Sequence, residues 1–192
     1  MEIGQQTEFQ EQDQSQSTQS SPSEIGIFPY VPLGDAWTFS EEFLGAVFDK
    51  IVEQKLLKTT FWEGSITNAV EFVSMVKSPN NHVVFFLEGD DCLGLAWLSA
   101  VTSNYAFAHF CSFREIYGRS VKLGKDCVDY WFSWPGDGGP LLDVIVGIMP
   151  GINKTAHKYV EKLGWIRLGI IPGMFRDKER NQEDAVIYYT SR

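Results

Sequence analysis

The segment FREIYGRSV, residues 113–121, places a predicted strand end, a glycine and a helix start in succession. The first N–H groups of a helix have no intrahelical partner and carry the positive end of the helix dipole, so such a junction can bind an anion. Gly118 lets the backbone approach a ligand closely, and Arg119 and Lys122 add positive charge. The segment is either a site for a phosphorylated ligand or an ordinary helix start with a surface arginine.

Motifs for several other kinds of chemistry are absent from the sequence. It contains no GxSxG nucleophile elbow, no GxxxxGK[ST] phosphate loop and no strand-linked GxGxxG. The histidines form no HExxH pair, and Cys92, Cys111 and Cys127 form no CxxC pair, so no metal site is predicted. Free thiols are typical of a reducing compartment, which favours a cytoplasmic protein.

Length and charge restrict the class of protein further. A chain of 192 residues, of which 44% are apolar and 14% aromatic, is long enough for one domain with a large core. Its net charge of −9 argues against binding to a nucleic-acid backbone. The uncharged run from Cys92 to Phe113 is long enough to span a membrane, but the polar residues 102–104 interrupt it. We therefore predict two strands joined by a turn, and no membrane contact.

Residues 1–24 differ in composition from the rest of the chain. They include seven glutamines, five serines and five acidic residues, and they contain no lysine or arginine. A segment this polar cannot bury enough surface to offset the entropy of ordering it, so we predict a disordered acidic tail. The tail is either a solvated extension or an arm that docks on a protein partner.

Hydrophobic periodicity and turn residues predict the element order β-αα-βββ-α-β-α-ββ from Ile25 onward. Ser40 is predicted to cap the first helix and Thr67 the second, whose inner side includes Val70. The last helix begins near Asn153. This mixture of strands and helices indicates an α/β domain.

The segment NKTAHKYVEKLGW, residues 153–165, together with this element order, resembles the GNAT superfamily of acetyl-CoA-dependent N-acyltransferases. The family pattern Asn-x-x-Ala…Glu-Lys-x-Gly-aromatic is matched here by Asn153, Ala156, Glu161, Lys162, Gly164 and Trp165. The phosphate loop of the family, Gln/Arg-x-x-Gly-x-Gly/Ala, aligns with residues 115–120, where Gly118 matches and Glu115 departs from the pattern. The resemblance covers residues 25–192 and implies a GNAT-like mixed central sheet with helices on both faces.

The resemblance also implies acetyl-CoA as a cosubstrate and an amine as the acceptor. Backbone groups of one strand would pair with the pantetheine arm, at Phe110, Cys111 and Ser112. Backbone N–H groups of the following loop and helix would hold the pyrophosphate, at Tyr117, Gly118, Arg119, Ser120 and Val121. Asn153 would bond the pantetheine region from the end of the next strand, and the thioester would lie where the two strands diverge.

One catalytic position of the family is not matched. Many members carry a tyrosine seven residues after the asparagine, where it protonates the leaving thiolate, but this position is Val160 here. The neighbouring Tyr159 is expected to point about 100° away, since a helix has 3.6 residues per turn.

The sequence also offers more than one candidate for the general base. The strand that often carries a glutamate has none here, and its titratable group is His109, which is either the base or a buried structural histidine. Glu63, in the FWEGS loop that lines the acceptor side in the family, is either a second candidate base or a surface carboxylate. Trp62 beside it is either a wall of the acceptor site or part of the core.

Two functions are compatible with these residues. The first is transfer of an acetyl group from acetyl-CoA to an amine. The alternative is a non-catalytic GNAT-fold protein with a structural or interaction role, whose tail docks a partner. The unmatched tyrosine and glutamate positions favour the alternative, whereas the two aligned motifs favour the enzyme.

Overall fold

The computed structural model describes residues 24–176, 179 and 181–192, so the predicted acidic tail lies outside the described residues except for Glu24. In the described part, a seven-stranded sheet has the strand order β1-β4-β5-β6-β9-β11-β10, and β2-β3 and β7-β8 form two small hairpins. The strands are β1 Gly26–Pro29, β2 Pro32–Leu33, β3 Ala36–Trp37, β4 Asn81–Glu88, β5 Asp91–Ser99, β6 Tyr105–Ser112, β7 Pro135–Gly136, β8 Gly139–Pro140, β9 Val144–Pro150, β10 Ile166–Arg176 and β11 Gln182–Ser191. The helices are α1 Glu41–Glu53, α2 Leu57–Thr60, α3 Ala69–Lys77, α4 Ser120–Phe132 and α5 Lys154–Leu163, and a short 3-10 helix covers Arg114–Ile116.

The expected order of the main elements is confirmed, and the uncharged run from Cys92 to Phe113 forms the antiparallel strands β5 and β6. None of the helices in the described residues is long and apolar enough to cross a membrane. The short elements α2 and the 3-10 helix were not expected, because a single turn is too short to show hydrophobic periodicity.

Side chains cap the first two long helices, one of them at a different residue from the expected one. The Ser40 hydroxyl accepts the Phe43 N–H at 3.2 Å, as predicted for α1. In α3 the cap is Asn68, whose side-chain oxygen accepts the Glu71 N–H at 3.0 Å, so the prediction of Thr67 was wrong by one residue. The inward placement of Val70 was also wrong, since this side chain is 79% exposed at the start of α3.

Helices cover both faces of the sheet. On one face, buried residues of α1 and α3 pack against β4, β5 and β6, with Phe48, Phe72, Phe85 and Trp97 among them. On the other face, α4 and α5 pack against β4, β5, β6, β9 and β11 around the fully buried Trp131. The α/β class and the arrangement of helices on both faces of a mixed sheet are as expected from the sequence.

Close contact between α4 and α5 depends on a glycine. The Tyr159 hydroxyl donates to the Ser120 carbonyl at 3.0 Å, and a Cβ atom at Gly124 would lie 2.2 Å from the Tyr159 hydroxyl oxygen and 2.9 Å from Leu163. By contrast, a Cβ atom at Gly45 in α1 would have no heavy atom within 4 Å.

This pair of helical glycines gives a matched prediction. Gly124→Ala should lower the free energy of unfolding by about 1–3 kcal/mol, because the added methyl group pushes Tyr159 and Leu163 of α5 away from α4. Gly45→Ala should raise it by about 0.5–1 kcal/mol, because alanine loses less backbone entropy in a helix. Urea unfolding monitored by circular dichroism measures both; equal effects at the two positions would contradict the packing described here.

Candidate functional site

The central feature of the site is a gap between two parallel strands. β6 and β9 pair only from Tyr105 to Phe107 and from Val144 to Val146. Beyond these three residue pairs, β6 continues to Ser112 and β9 continues to Pro150 without pairing to each other. Phe110, Cys111 and Ser112 pair with β5 on their other side. Because Phe113 donates to the Leu93 carbonyl, the alternation along the strand directs the backbone groups of Cys111 to β5 and those of Phe110 and Ser112 to the β9 side, where no described strand pairs with them. The backbone N–H and C=O groups along this open strand edge can therefore form hydrogen bonds with an extended ligand.

The N-terminus of α4 lies just after the open edge of β6, and it lacks a side-chain cap. Gly118 immediately precedes Arg119 with φ +84°, a left-handed conformation that favours glycine. The side chains of Ser40, Asn68 and Asn153 cap α1, α3 and α5, but among the described residues no side-chain hydrogen bond caps α4. The first N–H groups of this 13-residue helix thus remain available to an anion.

A polar network connects the 3-10 turn before this glycine to α1. The Gln54 side chain donates to both Glu115 oxygens at 3.2 and 2.9 Å and accepts the Arg114 N–H at 2.8 Å. Lys50 Nζ lies 3.0 Å from Glu115 Oε1 and donates to the Cys92 carbonyl at 2.8 Å. The hydrogen bonds from Gln54, aided by Lys50, lower the pKa of Glu115 to about 2. Glu115, the residue that departs from the family pattern, is therefore an anchor for the loop.

The two basic side chains near the α4 N-terminus are each paired with a carboxylate. Arg119 donates to both oxygens of Glu88 at 2.7 and 2.8 Å, and Lys122 lies 2.6 Å from Asp126. Tyr117 is 90% exposed. The positive potential at this end of α4 thus comes from backbone N–H groups together with cations that are partly neutralised.

Asn153 lies just beyond the end of β9, across the gap from β6. Its side-chain oxygen accepts the Ala156 N–H at 3.1 Å and caps α5. Val160, at the family's tyrosine position, is 4% exposed and belongs to the core between α5 and the sheet. Tyr159 points toward α4, as the helical spacing predicts, and burial raises the pKa of its hydroxyl.

His109 lies on β6 two residues beyond the last pair with β9. Its ring stacks on Trp97 with centroids 4.6 Å apart, and its Nε2 atom is 2.9 Å from the Ser99 hydroxyl oxygen. Phe61 stacks on the same Trp97 at 5.8 Å. The histidine and the loop after α2 are thus linked through one indole. Burial lowers the pKa of His109 to about 4, so its imidazole is neutral at pH 7.

The other two predicted acceptor-side residues follow Phe61 in this loop. Trp62 is half-buried, and its indole N–H is buried with no hydrogen-bond partner in the described part of the chain. The Glu63 side chain is exposed. The sequence did not reveal the roles of Gln54 and Lys50, because they lie about 60 residues before the loop they hold and carry no motif.

The fold matches solved acetyltransferase structures at low sequence identity. A spermidine N-acetyltransferase from Vibrio cholerae, solved with CoA and spermine, is 15% identical, with a TM-score of 0.64 over 87% of this chain and 95% of that chain. The Salmonella typhimurium acetyltransferase that modifies the N-terminal serine of ribosomal protein L7/L12 is 10% identical, with a TM-score of 0.71 over 90% of this chain and 96% of that chain.

A third match is the microcin C7 self-immunity acetyltransferase, solved with acetyl-CoA and AMP. It is 13% identical, with a TM-score of 0.63 over 80% of this chain and 89% of that chain. No protein-family model and no curated protein sequence matches the chain. At these identities the comparisons establish architecture, and the protein has the fold of the GNAT acetyltransferases.

Proposed function

We propose that the protein transfers an acetyl group from acetyl-CoA to an amine. The observation that carries this proposal is the open gap between β6 and β9 beside an uncapped helix N-terminus. An extended amide-containing arm with a diphosphate at one end fits both parts, since the strand edge offers backbone hydrogen bonds and the helix offers N–H donors. Acetyltransferases of the same fold have been solved with CoA or acetyl-CoA, which supports the assignment.

Each predicted cofactor-binding residue has a place in this proposal. The free backbone groups of Phe110 and Ser112 would bind the pantetheine amides, and Cys111 between them would keep the strand paired with β5. The backbone at residues 117–121 would hold the diphosphate through the N–H groups of Gly118, Ser120 and Val121, because those of Tyr117 and Arg119 already donate to the Arg114 and Ile116 carbonyls. Gln54 and Glu115 would keep that loop in place. The side-chain NH2 group of Asn153, on the opposite side of the gap, would donate to pantetheine, since the backbone N–H of Asn153 already donates to the Pro150 carbonyl.

The chemistry requires little beyond positioning and proton removal. Acetyl-CoA supplies an activated thioester carbonyl, and attack by the amine nitrogen forms the amide bond while the carbon–sulfur bond breaks. The amine loses one proton, and the departing thiolate can take up one. His109 is the proposed base, because its imidazole lies beside the opening between the strands and is unprotonated at pH 7. The same burial makes it a weaker base than a free imidazole. Glu63, on the loop linked to His109 through Phe61 and Trp97, is the alternative base.

Substitution of Gly118 tests the diphosphate site. At φ +84° a valine is strained, so the backbone must shift and carry its N–H donors away from the ligand. We expect Gly118→Val to raise the Kd for acetyl-CoA at least about tenfold, which corresponds to about 1.4 kcal/mol. Isothermal titration calorimetry measures this directly.

Gly34→Val is the matched control, because Gly34 has φ +62° and open space around it in the β2–β3 turn, away from the gap. It should lose similar stability and bind acetyl-CoA normally. Wild-type affinity in a folded Gly118→Val protein would reject the site. Acetyl-CoA binding without transfer to any amine would favour the non-catalytic alternative.

Substitution of His109 tests the base. His109→Gln should lower kcat by about 10²-fold or more, as expected for loss of a general base, while the Kd for acetyl-CoA stays unchanged. Since the pKa of His109 is about 4, the wild-type kcat should show no loss centred near pH 6.5. Unchanged kcat and an unchanged pH profile in His109→Gln would exclude the histidine, and a decrease confined to Glu63→Gln would assign the base to that carboxylate.

The pH dependence of the free energy of unfolding tests the lowered pKa of His109 independently of activity. The folded pKa of His109 lies below the unfolded value near ~6.5, so the unfolded chain binds the proton first as the pH falls. The stabilisation from the neutral ring is complete above about pH 6.5 and is lost toward pH 4. His109→Gln should remove this decrease in the free energy of unfolding between about pH 6.5 and pH 4. An unchanged decrease in the variant would show that the pKa of His109 is not lowered by folding.

A further inference from the structure

We propose that the acceptor is a primary amine attached to an uncharged aromatic or aliphatic group, which lies on an apolar floor beside the gap. The floor consists of Phe107, Val146, Ile148, Ile187 and Tyr189. This inference rests on the proposed acetyl transfer and assigns its acceptor class.

The strand register places the five side chains of the floor on one face of the sheet. Phe107 is opposite Val146, Val146 is opposite Tyr189, and Ile148 is opposite Ile187. This is also the face of His109, because Trp97 is opposite His109 and Ser99 is opposite Phe107 along the same strand pair. The floor spans three neighbouring strands, about 10 Å, which is wide enough for an aromatic ring.

The floor is not covered by a helix in the described part of the chain. The core beneath α1 and α3 contains residues of β4, β5 and β6 and none of β9 or β11, and the opposite core excludes all five floor residues. The five side chains are half-buried rather than buried. β9 is nonetheless apolar on both faces, as its sequence VIVGIMP shows, and this pattern is typical of strands that are covered on both sides.

The position of the floor points to the acceptor as its occupant. Phe107 and Val146 form the last parallel pair before β6 and β9 diverge, so the floor begins where a thioester in the gap would be attacked. An amine that reaches this point from the His109 side would have its remaining atoms over Val146, Ile148 and Ile187.

The lack of charged groups in the floor determines which class of amine it favours. Its five side chains include no carboxylate, and the adjacent His109 is neutral at pH 7. A second ammonium group of a polyamine lying over these five side chains would lose water without gaining a counter-charge from them, which is costly. A phenyl or alkyl group would instead gain the burial of apolar surface. The preference should therefore be opposite to that of a polyamine acetyltransferase.

The test compares 2-phenylethylamine with spermidine as acceptors for the full-length protein. Release of the CoA thiol can be followed with a thiol reagent, because all three cysteines of the chain are buried. We expect kcat/KM for 2-phenylethylamine to be at least about tenfold higher than for spermidine. Ile148→Asp should raise KM for 2-phenylethylamine at least about tenfold and reduce the preference, with the Kd for acetyl-CoA unchanged.

Two further variants keep the result interpretable. Ile170→Asp is the matched control, since Ile170 is opposite Val186 on the α4–α5 face of the same sheet, and it should leave both acceptors unaffected. Ile148→Thr is a milder polar change for the case in which Ile148→Asp fails to fold. It should raise KM for 2-phenylethylamine in the same direction.

The possible outcomes separate this inference from the proposed function. A preference for spermidine, or a KM for 2-phenylethylamine unaffected by either Ile148 variant, overturns the acceptor class and leaves acetyl transfer intact. Binding of acetyl-CoA without transfer to either amine also overturns it, whereas absence of acetyl-CoA binding rejects the proposed function itself. Sedimentation showing a dimer that Ile148→Asp dissociates and Ile170→Asp does not would assign the floor to contact between two copies, and would likewise overturn the inference.

Discussion

The parallel pairing of β6 with β9 is limited to three residue pairs, and the site depends on this limit. Each strand remains ordered beyond the divergence because its outer edge is paired. β5 pairs with β6 as far as Ser112, and β11 pairs with β9 as far as Pro150. The backbone groups that face the gap are therefore held in extended geometry, and no strand of the described residues lies between β6 and β9. An extended ligand finds a preformed strand edge and orders little of the protein on binding.

The N-terminus of α4 is stabilised differently from those of the other long helices. Three long helices begin with a side-chain cap, which satisfies an N–H group internally and stabilises the fold. Among the described residues α4 has no such cap, and it begins at Ser120, two residues after Gly118 with its positive φ. The turn before it is instead held from outside, through Gln54 and Lys50 on α1. Stability that a local cap would provide thus comes from a contact distant in sequence, which keeps the N–H groups of α4 available.

The two faces of the sheet are covered unequally. α4 and α5 extend over strands from β4 to β11, whereas α1 and α3 cover only β4, β5 and β6. The same gap is thus bounded by helix N-termini toward one face and, toward the other, by an apolar area over which no helix of residues 24–176 or 181–192 lies. Two chemically different ligands, one anionic and extended and the other apolar, can meet at the divergence without competing for the same groups.

The sequence by itself determined the order of the main elements, the strand pair at residues 92–113, the cap at Ser40, the start of α5 near Asn153 and the glycine before α4. These features depend on local periodicity and on backbone preferences of single residues, so they can be read within a few positions. The cap of α3 was missed by one residue, because Thr67 and Asn68 are both good caps. Only the tertiary structure decided where β6 and β9 part, that Gln54 and Lys50 hold Glu115, that His109 stacks on Trp97, and which part of one sheet face has no described helix over it. Each of these joins residues from separate elements, and a contact between elements depends on strand register and helix packing, which local sequence patterns do not encode.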